Sequence, residues 1–314
     1  MKIGFHSSQL CLRGTEIALY DYAYYNREIL GNESIIISDK NANLDALDKF
    51  KAEFEVLLYS DYSEVTGFVD QYGIDALYSI KAGFNDHKMV PNAKNLVHTV
   101  FQYNDPHGDK YAYVSKWLSD SMSQGRVPYV PHIVDILKYD HDEDLRSELN
   151  IPGDATVLGY YGGSDSFNIQ YVKDVVIDIA KNYKNFYFIF MNVDKFCDIP
   201  NVIFLPGNHN MKFKVAFINT CDACLHARSK GESFGLTIAE YSSKNKPCLI
   251  CKFSVDSAHI AMLGEKCIKY NDFNNLRSSI LNIKELKNSR EDWNAYRDYS
   301  PHNVMMKFQE VFLN

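Results

Sequence analysis

The feature that most constrains this chain is a rhythm. Short apolar runs alternate with amphipathic stretches, and the whole series occurs twice. Strands that alternate with helices are joined by crossovers, which makes neighbouring strands parallel. In the first series Lys2 to Phe5 predicts a strand, and a polar loop ends in Arg13-Gly14-Thr15. Glu16 to Leu30 predicts a helix with Ile17, Tyr20 and Tyr24 on one face and Gly31 as its stop. Ser34–Ser38, Glu55–Tyr59, Asp75–Ile80, Asn95–Phe101 and Tyr111–Val114 continue the sheet. Between residues 128 and 153 the texture changes. Pro128, Pro131 and Pro152 bracket the charged run Asp140-His141-Asp142-Glu143-Asp144, which marks a domain junction. The second series has strands at Thr156–Tyr161, Phe186–Met191, Val202–Phe204, Cys221–Leu225 and Cys248–Cys251, with a helix over Asn168–Lys181. The end of the chain predicts a helical tail from Arg290 through Phe312, broken at Pro301.

The expected architecture is therefore α/β: two doubly wound, Rossmann-like β/α/β domains facing across a cleft. Residues 1–135 form the first and 136–290 the second, and residues 291–314 are a tail that packs back on the first. In such sheets ligands sit beyond the carboxyl ends of the strands. A length of 314 residues with 46% hydrophobic and 23% charged side chains suffices for two cores. The net charge of -7 argues against nucleic acid as a partner. Residues 1–135 hold 12 Lys and Arg against 18 Asp and Glu, so electrostatic docking of that half on an anionic membrane is not expected. No run of 18 apolar residues occurs, Met1 to His6 turns polar too early for a signal peptide, and the expected location is cytoplasmic. Seven cysteines at irregular spacing then read as reduced core residues.

Residues 221–251 carry the chemistry. They predict strand, loop, helix, turn and strand, with the helix over Phe234–Ser243. Ser233-Phe234-Gly235 leads into that helix, whose unpaired N–H groups make an anion site suited to a diphosphate. Gly235 removes a side chain where a ligand must come close. Glu232 in the loop and Glu240 about one turn into the helix are two carboxylates, each able to accept from vicinal hydroxyls of a sugar.

This block, Gly231-Glu232-Ser233-Phe234-Gly235-Leu236-Thr237-Ile238-Ala239-Glu240 followed by Lys246-Pro247, resembles the donor site of the family-4 retaining glycosyltransferases of GT-B fold. The resemblance implies a nucleotide-sugar donor and a glycan or other hydroxyl acceptor, with retention, without metal and without a cofactor. It implies that Glu232 contacts the transferred sugar, Glu240 the ribose hydroxyls, and the main-chain N–H groups of Gly235, Leu236 and Thr237 the diphosphate. Other segments follow the family's order. Arg13-Gly14-Thr15-Glu16 resembles its glycine-rich first loop, and Val114-Ser115-Lys116-Trp117-Leu118 the close of its first domain. Val130-Pro131-His132-Ile133-Val134-Asp135 resembles its crossover, and Val202 to Gly207 the strand and turn at the base. One departure stands out. The family's Arg and Lys after the first strand of the second domain are missing from Gly162-Gly163-Ser164-Asp165-Ser166-Phe167-Asn168-Ile169-Gln170. Lys173 reaching back, or Arg228 and Lys230 ahead of Glu232, are the candidate replacements.

In the first domain, His98 near a strand's carboxyl end and His107 in Pro106-His107-Gly108-Asp109 are catalytic candidates, able to bond a sugar hydroxyl or the leaving phosphate. The family often has a histidine in this region. Cys221-x2-Cys224 and Cys248-x2-Cys251 mimic a zinc site, but positions three apart on a strand point to opposite faces. Neither Gly-x-Gly-x-x-Gly nor a P-loop occurs. The alternatives left open are another enzyme on the same scaffold, such as a phosphorylase or sugar epimerase, a glycoside hydrolase, and a non-catalytic nucleotide-sugar-binding module.

Overall fold

The computed structural model describes residues 1–11, 13–208 and 210–314. It divides into two compact units, residues 1–133 with 298–314, and residues 134–297. The division falls at residue 133, residues 291–297 stay with the second unit, and only 298–314 join the first.

The first unit runs β1 (Lys2–Ser7), α1 (Gly14–Glu28), β2 (Glu33–Asp39), α2 (Leu47–Lys51), β3 (Glu55–Tyr59), α3 (Glu64–Tyr72), β4 (Ala76–Lys81), β5 (Lys94–Thr99), β6 (Lys110–Tyr113) and α4 (Lys116–Ser123). All six strands are parallel, in the order β3-β2-β1-β4-β5-β6. Helices cover a parallel sheet on both faces, so its strands are buried almost continuously. Ile3, Phe5, Ile36, Ile37, Leu77, Tyr78, Leu96 and Val97 form that layer.

The second unit opens with the one-turn 3-10 segment Ile136–Tyr139. It continues with β7 (Thr156–Tyr161), α5 (Gln170–Asn182), β8 (Phe186–Met191), β9 (Val202–Leu205), α6 (Met211–Thr220), β10 (Ala223–Leu225), β11 (Gly231–Glu232), α7 (Leu236–Ser243), β12 (Cys248–Cys251), β13 (Asp256–Ser257), α8 (Ala258–Leu263), β14 (Ile268–Tyr270), α9 (Phe273–Leu281) and α10 (Ile283–Asn288). Its large sheet is again parallel, ordered β14-β12-β10-β7-β8-β9. Numbered within their own unit, both sheets read 3-2-1-4-5-6. That order reverses direction beside the first strand, and the crevice at the reversal is where such sheets hold ligands. In α5, Val172, Val175, Val176 and Ile179 recur at the spacing of one helix face, and all are buried. Asn210 caps α6 by accepting from the Lys212 and Phe213 N–H groups.

The helix expected from Arg290 is not there. Residues 290–300 are irregular because side chains capture the backbone donors a helix would use. Asn245 Oδ1 accepts from Trp293 N, Asp292 Oδ1 from Asn294 N, Ser242 Oγ from Ala295 N and Asn294 Oδ1 from Tyr296 N. The helix α11 (Pro301–Phe308) begins after this stretch, capped by Ser300, with Pro301 as its first residue rather than its break. A π-helical turn, Gln309–Leu313, follows. Phe308 and Phe312 pack on Tyr78, and Phe308 also on Phe5 and Tyr22, which fixes the tail in the first unit.

Candidate functional site

In the second unit the order reverses between β7 and β10, and the loops that follow these strands are bonded to each other. Asn168 N donates to the Ala227 carbonyl at 2.9 Å, and Asn168 Oδ1 accepts from Ser229 N at 2.9 Å. Gly162, Gly163 and Ser164 lie in the first of these loops. Asn192, after β8, donates its amide to the Gly162 carbonyl and packs against Gly207 after β9. Thr237 Oγ1 donates to the Tyr161 carbonyl at 3.0 Å, tying the start of α7 to the end of β7. The segments holding Gly162, Gly163, Ser164, Gly207, Arg228, Lys230, Glu232, Gly235 and Thr237 therefore meet along one carboxyl edge.

The loop carrying Glu232 is shaped by two glycines. Gly231 has φ +77°, and a Cβ there would collide with the Asp256 carbonyl across the short β11–β13 pair. Gly235, the N-cap of α7, has φ +90°, and a Cβ would press at 3.3 Å on both Glu232 and His259. Among the described residues no side chain caps this helix, so its first N–H groups remain available, as an anion site requires.

Glu232 keeps 19% of its side chain exposed. Its Oε1 lies 3.2 Å from His226 Nε2, and its Oε2 accepts from Arg228 at 2.9 Å. Burial works to raise its pKa. The His226 hydrogen bond and the Arg228 charge overcome that and hold the carboxyl below its ordinary value. Arg228 thus spends charge on Glu232 and also feels Asp165, rather than standing ready as a lone phosphate cation. Lys230 is exposed, and its carbonyl accepts from Asp256 N. Lys173 does not reach back: its ammonium lies over the Phe196 ring at 5.5 Å.

Glu240 is more deeply enclosed, at 7% side-chain exposure. Lys214 from α6 donates to its Oε1 at 3.0 Å, and the Tyr161 hydroxyl donates to its Oε2. The same ammonium sits 5.4 Å from the Tyr161 ring centroid. Lys214 is a buried cation that no spacing in the sequence marks, and it lies beside the second carboxylate of the motif.

Some expected residues play other parts. Phe234 is a packing anchor, buried edge-on against Tyr296, so its side chain is not a ligand contact. His98 is a core residue, fully buried, and its expected catalytic role is corrected. Its Nε2 donates to the Val130 carbonyl at 2.9 Å, Tyr78 donates to its Nδ1 at 2.6 Å, and burial drives its pKa down to about 4. His107 is buried too, with Nδ1 donating to the Asp105 carbonyl at 2.7 Å inside its own turn. Gly14 and Thr15 open α1 at the surface of the first unit, beside the buried Glu16. The four cysteines of the apparent zinc pattern are buried and do not converge. Cys224 and Cys248 pair across β10 and β12, Cys221 donates to the Phe217 carbonyl, and Cys251 donates to the Phe253 carbonyl. Tyr161, Lys214, His226 and His259 are the site's unforeseen members. His226 alone had a signal, its place directly after the strand that ends at Leu225.

No protein-family model matches the chain, and no curated protein matches its sequence. Solved structures are similar to it. One is Anabaena Alr3699/HepE in complex with UDP and glucose, with TM-score 0.74, 13% identity and 98% of each chain covered. Another is WaaG, a glycosyltransferase involved in lipopolysaccharide biosynthesis, with TM-score 0.68, 10% identity and 99% of each chain covered. A third is a UDP-GlcNAc 2-epimerase from Neisseria meningitidis bound to UDP-GlcNAc, with TM-score 0.61, 13% identity and 99% of each chain covered. The shared architecture is the GT-B fold of two parallel α/β sheets. Among the described residues, no helix is long and apolar enough to cross a membrane.

Proposed function

We propose that the chain is a glycosyltransferase. It moves a sugar from a nucleoside-diphosphate sugar to a hydroxyl of a glycan or glycoconjugate acceptor, with retention, without metal, and in the cytoplasm. The observation that carries this reading is the carboxyl edge of the second sheet. An ionised Glu232, an uncapped glycine-led helix start and a buried Glu240–Lys214 pair converge there on loops from β7 and β10. Each part suits one piece of the donor. Glu232 accepts from hydroxyls of the transferred sugar. The N–H groups of Gly235, Leu236 and Thr237 stabilise the leaving diphosphate in a place where oriented dipoles act strongly. Glu240 has lone pairs left on both oxygens for the ribose hydroxyls while it keeps Lys214. Lys214 and the unused Arg228 donors supply the positive charge that Gly162–Gln170 lacks.

A thermal-shift screen against nucleoside diphosphates and their sugars tests this. UDP and UDP-glucose come first, because the Anabaena neighbour is solved with UDP and glucose. A ligand at 100 times its dissociation constant stabilises by about 2.7 kcal/mol. No shift with any nucleotide would overturn the proposal. A second reading, sugar epimerisation, is favoured by the likeness to the Neisseria epimerase. It predicts a changed sugar configuration on UDP-GlcNAc without acceptor, whereas transfer predicts free UDP and a glycosylated acceptor.

A further inference from the structure

Two buried histidines behind Glu232 have needs that match. A carboxylate only accepts, so the His226 Nε2 that faces Glu232 at 3.2 Å carries the hydrogen. In the neutral ring its Nδ1 is a bare acceptor, and this nitrogen is buried without a hydrogen-bond partner among the described residues. His259, on α8, has its ring 5.0 Å from that of His226, tilted by 52°. It lies against the Glu232 main chain and would touch a Cβ at Gly235, so it backs both parts of the donor loop. Neither of its ring nitrogens has a partner of normal geometry, and both histidines are 0% exposed. A neutral imidazole always carries one N–H. The His259 N–H is drawn by the Glu232 main chain without a hydrogen bond of normal geometry, and it lies next to a His226 Nδ1 that lacks a donor. Native proteins seldom leave buried groups of this kind unmet.

We infer that His259 and His226 form a hydrogen-bonded chain that orients Glu232 toward the donor sugar, with His259 donating to His226 Nδ1 and His226 Nε2 donating to Glu232. The first link closes by a small ring rotation or through one bridging water. Both histidines are positioning residues, since neither is exposed to a ligand. The inference rests on the proposed sugar contact of Glu232. The charged and titratable groups around that carboxylate are His226 and Arg228 from the loop after β10, His259 from α8, Tyr160 from β7 and Asp165 acting through Arg228. Asp256 on β13 flanks the same loop. Burial drives the His259 pKa down to about 3, so the chain is made of a neutral donor rather than a second cation.

The chain itself is tested without substrate, by nitrogen-15 spectra of the imidazoles in the full-length protein. His226 is expected as the Nε2–H tautomer, turning into a mixture in His259→Phe. A pure Nδ1–H form of His226, or spectra of His226 unchanged by His259→Phe, overturns the inference. Its consequence is tested by kinetics with UDP-glucose. His259→Phe is expected to lower kcat/KM about 10-fold with the UDP dissociation constant unchanged, and His259→Gln, which keeps an N–H, to recover most of the loss. In His226→Phe the acid limb of the kcat/KM profile should move up by about one pH unit, because Glu232 has lost the donor that favours its ionised form. Equal losses in both His259 variants, accompanied by weaker UDP binding, overturn the positioning role. Wild-type protein that neither binds nor turns over a nucleotide sugar refutes the functional reading instead, and the imidazole spectra still decide the chain.

Discussion

Glu16, after β1, and Glu232, after β10, each follow a strand that flanks the order reversal of its own unit, and their surroundings push them opposite ways. Glu16 sits in the first turn of α1, beside the end of β1. It is buried at 2% exposure, and its oxygens accept from the Ser7 hydroxyl and the Cys11 thiol, two neutral donors. Burial dominates and raises its pKa. Glu232, at the edge of the second sheet, accepts from Arg228 and faces His226, and it is held below its ordinary value. The topology supplies a crevice at both reversals. The side chains decide that one edge carries a carboxyl whose pKa is raised and the other a carboxyl whose pKa is lowered. The histidines repeat the lesson, since His98 is consumed by core carbonyls while His226 serves a carboxylate.

The largest expected effect comes from breaking the deeper pair of the second edge. Glu240→Ala leaves the Lys214 ammonium buried and uncompensated, which should cost about 3–5 kcal/mol in urea unfolding. The double variant Lys214→Met with Glu240→Leu should recover much of that stability yet bind no nucleotide. Next, Glu232→Gln should lower kcat/KM with UDP-glucose about 100-fold while leaving UDP affinity within about two-fold. An equal loss of UDP affinity would mean that Glu232 does not read the sugar. Smaller again, Gly235→Ala should cost about 1–2 kcal/mol, from a left-handed backbone and pressure on Glu232 and His259. It should also weaken UDP binding, which a purely structural glycine would not do.

The smallest effect sharpens the comparison by its sign. Glu16 has a raised pKa, so the folded state holds its proton longer than the unfolded chain does. Its contribution to stability is full below the unfolded value near 4.5 and fades as pH rises through the folded value. Glu16→Gln should thus be close to wild type at pH 4 and gain relative to it by pH 8. Glu232 has a lowered pKa, so its contribution is present above the unfolded value and is lost as pH falls through the folded one. Glu232→Gln should lose its deficit in acid. Parallel pH slopes for the two variants in chemical unfolding would contradict the opposed environments.

Much of the frame was legible in the sequence because buried parallel strands are short unbroken apolar runs. Glu55–Tyr59, Thr156–Tyr161, Phe186–Met191 and Cys248–Cys251 coincide with observed strands. The helix α6 was not legible, since MKFKVAFINT is buried on nearly every side and lacks a polar face to give it a period. The strands β11 and β13 are two residues each, and their pairing depends on the positive φ of Gly231 rather than on pattern. In the site, Glu232, Gly235 and Glu240 stood out because they lie within one decapeptide. Lys214, Tyr161 and His259 reach the same edge from three other elements, and only the folded sheet brings them there. Residues 290–300 are not helical for a related reason, because their Asn and Asp side chains capture backbone donors locally.

The central claim is that the carboxyl edge of the second sheet, and not that of the first, holds the nucleotide sugar. Backbone amide shifts during titration of the full-length protein with UDP test it most directly. The account predicts that the largest shifts fall on residues 162–169 and 226–240, led by Leu236 and Thr237 at the start of α7. Shifts centred on residues 7–16 at the edge of the first sheet, or no shifts at saturating UDP, would contradict it.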